Sequence, residues 1–319
     1  MRSALLIFIA ATSITSSIVG QTPSSAPDVL GTPEQADQGV GRRPGGRPYE
    51  NRPDFGLRER PIDNRQQVAN LPHTNPSYTA FSIVNAADSQ SGPLAANTIA
   101  TIYGQNLSYT TAALASNDIS GGLLPLGLPG SGVNVLVGGI AATVFYVSPT
   151  QINFLVPNIL IPGQTGVQVV LNSNAGPIIP VTLADCSPAL FQLDAQTVIA
   201  TRLDGSLVTA SAPAQPGDIL VFYANGLGPT VPPVVDRFVP QKPAQLQRLT
   251  DFQVLLDGVP LDHSSVLYAG IAPGYAGLYQ INVKIPSSAG QNPQIQIGLG
   301  SEMSPSGLML PLSTAPASN

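Results

Sequence analysis

One pattern occurs twice in this chain. Residues 144–157 read VFYVSPTQINFLVP, and residues 266–286 read VLYAGIAPGYAGLYQINVKIP. In both, a short apolar strand enters a Pro-containing turn. A second strand follows with Gln-Ile-Asn (Gln151-Ile152-Asn153, Gln280-Ile281-Asn282) and closes on Val156-Pro157 or Ile285-Pro286. The correspondence extends upstream: Pro93 to Leu107 aligns with Pro213 to Leu227, and Val133 to Gly139 with Phe252 to Gly258, both at a spacing of about 120 residues. The second Gln-Ile-Asn copy lies further on because its turn is lengthened by Ala272-Pro273-Gly274-Tyr275. Gln294 to Leu299 and Leu308 to Leu312 then match the last two strands of the first half. A repeat of this length is a duplicated domain, since solenoid units run to roughly 20–50 residues.

Each copy reads as short strands and tight turns. In the first, 79–84, 99–103, 133–137, 142–147, 152–156, 167–171 and 178–183 give seven strands in roughly a hundred residues, the spacing of a β-sandwich. Gly138-Gly139 supplies a two-residue hairpin turn, and Asp257-Gly258 occupies the same place in the second copy. Composition agrees. Charged residues are 10% of the chain, against roughly 25% in an average domain, while Gly (31) and Pro (32) are abundant and Trp is absent. Such a chain is poor in helix formers and suited to strands. It also lacks the basic stripe that a nucleic-acid binder needs to neutralise phosphates. The single cysteine, Cys186, excludes an internal disulfide and reads as a small buried hydrophobe.

The N-terminal part differs. Residues 1–20 read as a secretory signal peptide: Arg2, an apolar run from Leu5 to Ala11 too short to span a bilayer, then small residues with a cut near Gly20-Gln21. Residues 21–77 are rich in Pro, Gly, Gln, Asn and Arg without apolar periodicity, the composition of a disordered or extended linker. Seven arginines between 42 and 65 are mixed with four acids. A solvated linker is the simpler reading of this mixture, a tether to an anionic envelope polymer the sharper one. The expected organisation is a signal peptide at 1–20, a linker at 21–77, one immunoglobulin-like sandwich at 78–194 and a second at 195–319. The expected location is secreted or cell-surface, with no lipobox cysteine near the cut, no C-terminal anchor and no membrane span.

Several stretches carry a family resemblance: Asn85-Ala86-Ala87, Tyr103-Gly104-Gln105-Asn106-Leu107, residues 146–153 and residues 272–282. With these marks, each half resembles the IPT/TIG type of immunoglobulin-like domain. The pair resembles the tandem C-terminal module of secreted Acidobacteria proteins of the Solibacter type, a module of uncharacterised function. The resemblance covers about residues 80–311. It implies an all-β fold of two tandem sandwiches and an exported location, and it implies no reaction, because such domains serve as linkers, adhesion modules and binding modules.

The chemistry-bearing residues are sparse. His73 falls in the linker, and His263 stands beside Asp262 in a polar turn, where sequence neighbours point apart and cannot form a relay. No metal-ligand spacing, nucleophile elbow or phosphate-cradling loop is present. The eleven acids beyond residue 77 mostly flank turn residues, where Asp caps the backbone. The expectation is no enzyme, no catalytic residue, no cofactor and no metal. Gln280 and Asn282 stand two apart on one strand and so share a face. They would hydrogen-bond a sugar or, more economically, satisfy neighbouring backbone. Tyr268, Tyr275 and Tyr279 gather near the lengthened turn, with Tyr223 on a strand able to approach. They read as carbohydrate or protein contacts, with Tyr275 alternatively plugging the junction between the halves. The candidate ligand-binding set is therefore Tyr268, Tyr275, Tyr279, Gln280 and Asn282. The expected role is a structural, adhesion or assembly module, with a carbohydrate-binding protein as the alternative. The candidate partners are an extracellular glycan, a cell-envelope component or a second copy of the chain.

Overall fold

Two hairpins with positive φ at both turn positions frame the two halves. Gly138 (φ 60) and Gly139 (φ 79) join Val133–Val137 to Ile140–Ala141, while Asp257 (φ 50) and Gly258 (φ 77) join Phe252–Leu256 to Val259–Pro260. Such turns match the right-handed twist of their strands, and glycine adopts them without a Cβ penalty. The structure is a computed structural model and describes residues 74–313. The expected signal peptide, His73 and nearly all of the expected linker lie outside the described residues.

The first half folds into two sheets. One has the order Ile83–Asn85, Ile99–Tyr103, Gln151–Leu155, Thr143–Ser148, Ala112–Ala113. The other has the order Leu94–Ala95, Ile179–Ala184, Gly163–Leu171, Val133–Val137, Ile140–Ala141, with Asn174–Ala175 paired to Gly163–Leu171. All pairings are antiparallel except that of Leu94–Ala95 with Ile179–Ala184. Alternate residues from both sheets, among them Ile102, Ile152, Phe154, Val135, Val169 and Leu171, close over one buried core. Tyr78 joins it, donating its hydroxyl to Pro177 O (2.6 Å) and accepting from Val169 N (2.7 Å). The expected first strand is in part a 3-10 turn (Ala80–Ser82), its extended part being Ile83–Asn85.

The second half repeats the plan. Its large sheet has the order Ala189–Leu190, Ile219–Asn225, Tyr279–Lys284, Val266–Ile271, Ala244–Leu246, Thr230–Val231, with Ala200–Arg202 paired to Ile219–Asn225. Its small sheet has the order Val259–Pro260, Phe252–Leu256, Ile295–Leu299, Glu302–Met303. Phe222, Ile281, Phe252 and Ile297 represent the two sheets in its core. The chain is thus all-β, two tandem immunoglobulin-like sandwiches. Ala189–Leu190 already pairs with Asn225 and Ala224. Residues 185–188 connect Ile179–Ala184 to that strand. Cys186 is buried there, and burial raises its thiol pKa.

Candidate functional site

The two Gln-Ile-Asn strands occupy the same place in the five-stranded sheet of the first half and the large sheet of the second. Gln151–Leu155 lies between Ile99–Tyr103 and Thr143–Ser148, and Tyr279–Lys284 between Ile219–Asn225 and Val266–Ile271. A register shift falls at the same point of each neighbouring strand, between Val144 and Tyr146 and between Val266 and Tyr268. A bulge of this kind re-aims the next side chain. It sets Tyr146 opposite Asn153, and Tyr268 opposite Asn282. On the other flank Tyr103 is opposite Gln151, and Tyr223 opposite Gln280. Strand alternation points all of these away from the cores, so each of these two sheets carries a Tyr, Gln/Asn, Tyr pattern on its outward face.

In the second sandwich Gln280 Nε2 donates to Asn282 Oδ1 at 2.8 Å, and both side chains are half-buried. Tyr268 is also half-buried; its hydroxyl donates to Ile271 O (2.7 Å) and approaches Ala244 O (3.3 Å). Desolvation raises its pKa. Tyr223 is 4% exposed and lies beside Thr201 Oγ1 (3.4 Å), with its pKa likewise raised by burial. It belongs to a cluster with Phe191, Ile199, Val221, Ala272 and Leu278, against which Ala87 of the first sandwich and Tyr275 pack.

The candidate set therefore divides. Tyr268, Gln280 and Asn282 share one outward face. Tyr275 lies at the junction between the sandwiches. Tyr279 leaves the set: alternation turns it inward, it is fully buried, and its hydroxyl is bonded to Gly228 O. Its place one residue before Gln280 is the physical reason, since adjacent residues on a strand face opposite ways.

Burial pushes the Tyr279 pKa up to about 12, with Asn97 opposing the shift. A phenol whose pKa is raised by folding contributes stability that is whole below about pH 10 and is lost as pH rises through the folded-state value. Two pKa units correspond to on the order of 2–3 kcal/mol. Thermal melts should accordingly fall steeply between about pH 10 and 12, and Tyr279→Phe should remove much of that step. A Tyr279→Phe curve with the same alkaline fall would contradict this.

The junction itself is built around Asn225, a residue the sequence reading passed over. It is fully buried. Its Nδ2 donates to Asn85 Oδ1 (3.0 Å) and Ile99 O (2.7 Å), and its Oδ1 accepts from Ile99 N (3.0 Å) and Gly226 N (3.1 Å). One amide thus ties the large sheet of the second sandwich to the five-stranded sheet of the first. In the repeat Asn225 aligns with Gln105, whose backbone N–H and C=O pair with those of Ser77 at 2.9 Å. A strap from the second sandwich adds to the joint. Asp236 Oδ1 accepts from Asn158 N (3.1 Å), Asn158 Nδ2 donates to Val234 O (2.8 Å), and Arg237 donates to Leu124 O (3.0 Å).

Among the described residues no group of His, Cys, Asp and Glu is arranged to hold a metal, and no helix is long and apolar enough to cross a membrane. His263 sits in a 3-10 turn capped by Asp262, which accepts from Ser264 N at 2.8 Å.

The family profile described as "IPT/TIG domain" matches residues 82–183, which contain both sheets of the first sandwich. No curated protein is matched. Among solved structures, the chain is similar to the surface glycan-binding protein SGBP-B of the Bacteroides ovatus mixed-linkage glucan utilization locus. Identity there is 10% over 76% of this chain and 46% of that one, with a TM-score of 0.30. It is also similar to PbSGBP-B of Prevotella bryantii (13% identity, 73% and 41% covered, TM-score 0.23) and to domains 5-6 of the S-layer protein SbsC (10%, 76% and 100%, TM-score 0.25). The chain spans less than half the length of the first two. At these identities the likeness is one of fold alone. Residues 82–183 thus match the IPT/TIG domain family, and they make up the first of the chain's two immunoglobulin-like sandwiches.

Proposed function

We propose that the chain is an exported, non-catalytic structural or adhesive module of the cell surface or extracellular space, in which two immunoglobulin-like sandwiches act as one unit. The observation that carries this reading is the buried Asn225 amide bonded across the junction, which favours a fixed joint over a flexible hinge. The N-terminal Arg2 and apolar run from Leu5 to Ala11 support export. The test is a pull-down of the full chain against isolated cell envelopes and against itself, beside turnover assays on ester and glycoside panels. Retention without turnover is expected; saturable turnover by the purified chain would overturn the reading.

A second reading, carbohydrate binding, is favoured by one observation: Tyr268, Gln280 and Asn282 share an outward face on adjacent strands. An aromatic ring beside amide donors and acceptors suits a sugar's alternating apolar and hydroxylated faces. Retention on one insoluble polysaccharide is expected to weaken at least about 10-fold in both Tyr268→Ala and Gln280→Ala, as for contacts worth more than about 1 kcal/mol. Affinity electrophoresis against a glycan panel reads this directly. Retention unchanged in both variants would remove this face as the site.

A further inference from the structure

Between the sandwiches lies a cavity of about 90 Å³, open on one side. Its floor is the outward face of the first sandwich's five-stranded sheet at Ile99, Phe145, Tyr146 and Asn153, and its far wall is Phe191, Tyr275 and Leu278 of the second sandwich. The lining is apolar except for a few groups, of which Asn153 is the most telling. Asn153 is 5% exposed. Its Oδ1 is held from two sides, by Thr101 Oγ1 (3.1 Å) and Gln151 Nε2 (2.9 Å). With the oxygen fixed, the Nδ2 amide is left as the donor end; it donates to no acceptor among the described residues, and it is not one of the fully buried atoms without a partner, so it keeps access to the cavity that Asn153 lines. An occupant that accepts from it while filling the apolar space therefore gains over one that cannot, by the net worth of one hydrogen bond, about 0.5–1.5 kcal/mol. Its counterpart Asn282 has Val221 opposite it where Asn153 has Thr101. The doubly held amide is therefore a feature of the first copy.

We propose that this junction cavity binds a small uncharged molecule with an apolar ring and one oxygen acceptor, of the class of aromatic alcohols and aldehydes. The oxygen accepts from Asn153 Nδ2, and the ring packs among Phe145, Phe191 and Leu278. An enclosed apolar cavity of roughly 150 Å³ holds benzene. This one is smaller but open, so a ring enters with one edge left at the mouth. A whole pyranose, polar on its rim, would strand its hydroxyls against the apolar lining. The proposal is separate from the surface-module reading and from the sugar face of the second sandwich, and it stands or falls without them.

The experiment is an NMR titration of the full chain, following the side-chain amide of Asn153, with benzyl alcohol, with toluene as the acceptor-free control and with glucose. Saturable shifts with benzyl alcohol are expected, with toluene about 2–10-fold weaker and no saturation by glucose. Ala113 lines the mouth and is solvent-exposed on its edge strand, so Ala113→Trp covers the opening without entering the core. Ala113→Trp should melt as the parent does and lose binding, while Asn153→Ala should bring benzyl alcohol down to the level of toluene. Absence of saturable shifts in the parent, or unchanged binding in Ala113→Trp, would overturn the proposal.

Discussion

Replacing Asn225 with Ala is expected to lower the melting temperature by about 10–15 °C and to split a single calorimetric transition into two. The change removes four hydrogen bonds at once. Ile99 O keeps a bond from Ala86 N and Asn85 Oδ1 keeps one from Ala87 N, but Ile99 N and Gly226 N are left without a partner. Each buried group left without a partner costs about 1–3 kcal/mol, so a total of roughly 2–6 kcal/mol is expected. In a domain pair of this size each kcal/mol is worth roughly 2–4 °C. The split follows because these bonds couple one sandwich to the other, and their loss lets each unfold at its own temperature. Differential scanning calorimetry reads both quantities. A single transition within about 2 °C of the parent would show that the joint rests on apolar packing alone.

The second large effect is expected from Gly277→Val, at about 2–5 kcal/mol. Gly277 has φ +78, and a Cβ there would lie 2.5 Å from Leu155 Cδ1, 2.8 Å from Ile99 Cγ1 and 3.3 Å from Asn97 O, all on the first sandwich. A β-branched residue at this φ is strained by about 1–2 kcal/mol, and overpacking adds about 1–3 kcal/mol. Gly274 provides the internal control. It has φ +86 in the same loop, and nothing lies within 4 Å of its virtual Cβ. Gly274→Val should therefore carry the strain without the clash. Equal denaturation midpoints for the two variants would mean that the lengthened turn does not press on the first sandwich; a Gly277→Val value well below that of Gly274→Val is the expected outcome.

These positions mark where the sequence was informative and where it was not. The strands at 99–103 and 133–137 were legible because apolar residues are bounded by turn signals, and the two hairpins because Gly-Gly and Asp-Gly adopt positive φ. The duplication extended that reading to the second half. The pairing of Gln280 with Asn282 on one face followed from strand alternation, as did the burial of Cys186 from its apolar setting. The same alternation should have withdrawn Tyr279, whose neighbour Gln280 faces outward; proximity in sequence to other tyrosines obscured it. Tyr103 and Tyr146 went unnoticed as a second copy of the Tyr223 and Tyr268 arrangement, although the repeat placed them.

Local pattern by itself determined the fold class, the repeat and the facing of most strand residues, because alternation and turn chemistry act over a few residues and leave a periodic trace. The joint between the sandwiches was decided only by tertiary structure. Asn225 and Ile99 are separated by 126 residues, and no periodicity links them. The same holds for the cavity beside Asn153, whose walls come from six separate stretches of chain. Which outward face stays open and which is covered depends on how two folded surfaces meet, and that is set by packing between sequence-distant residues.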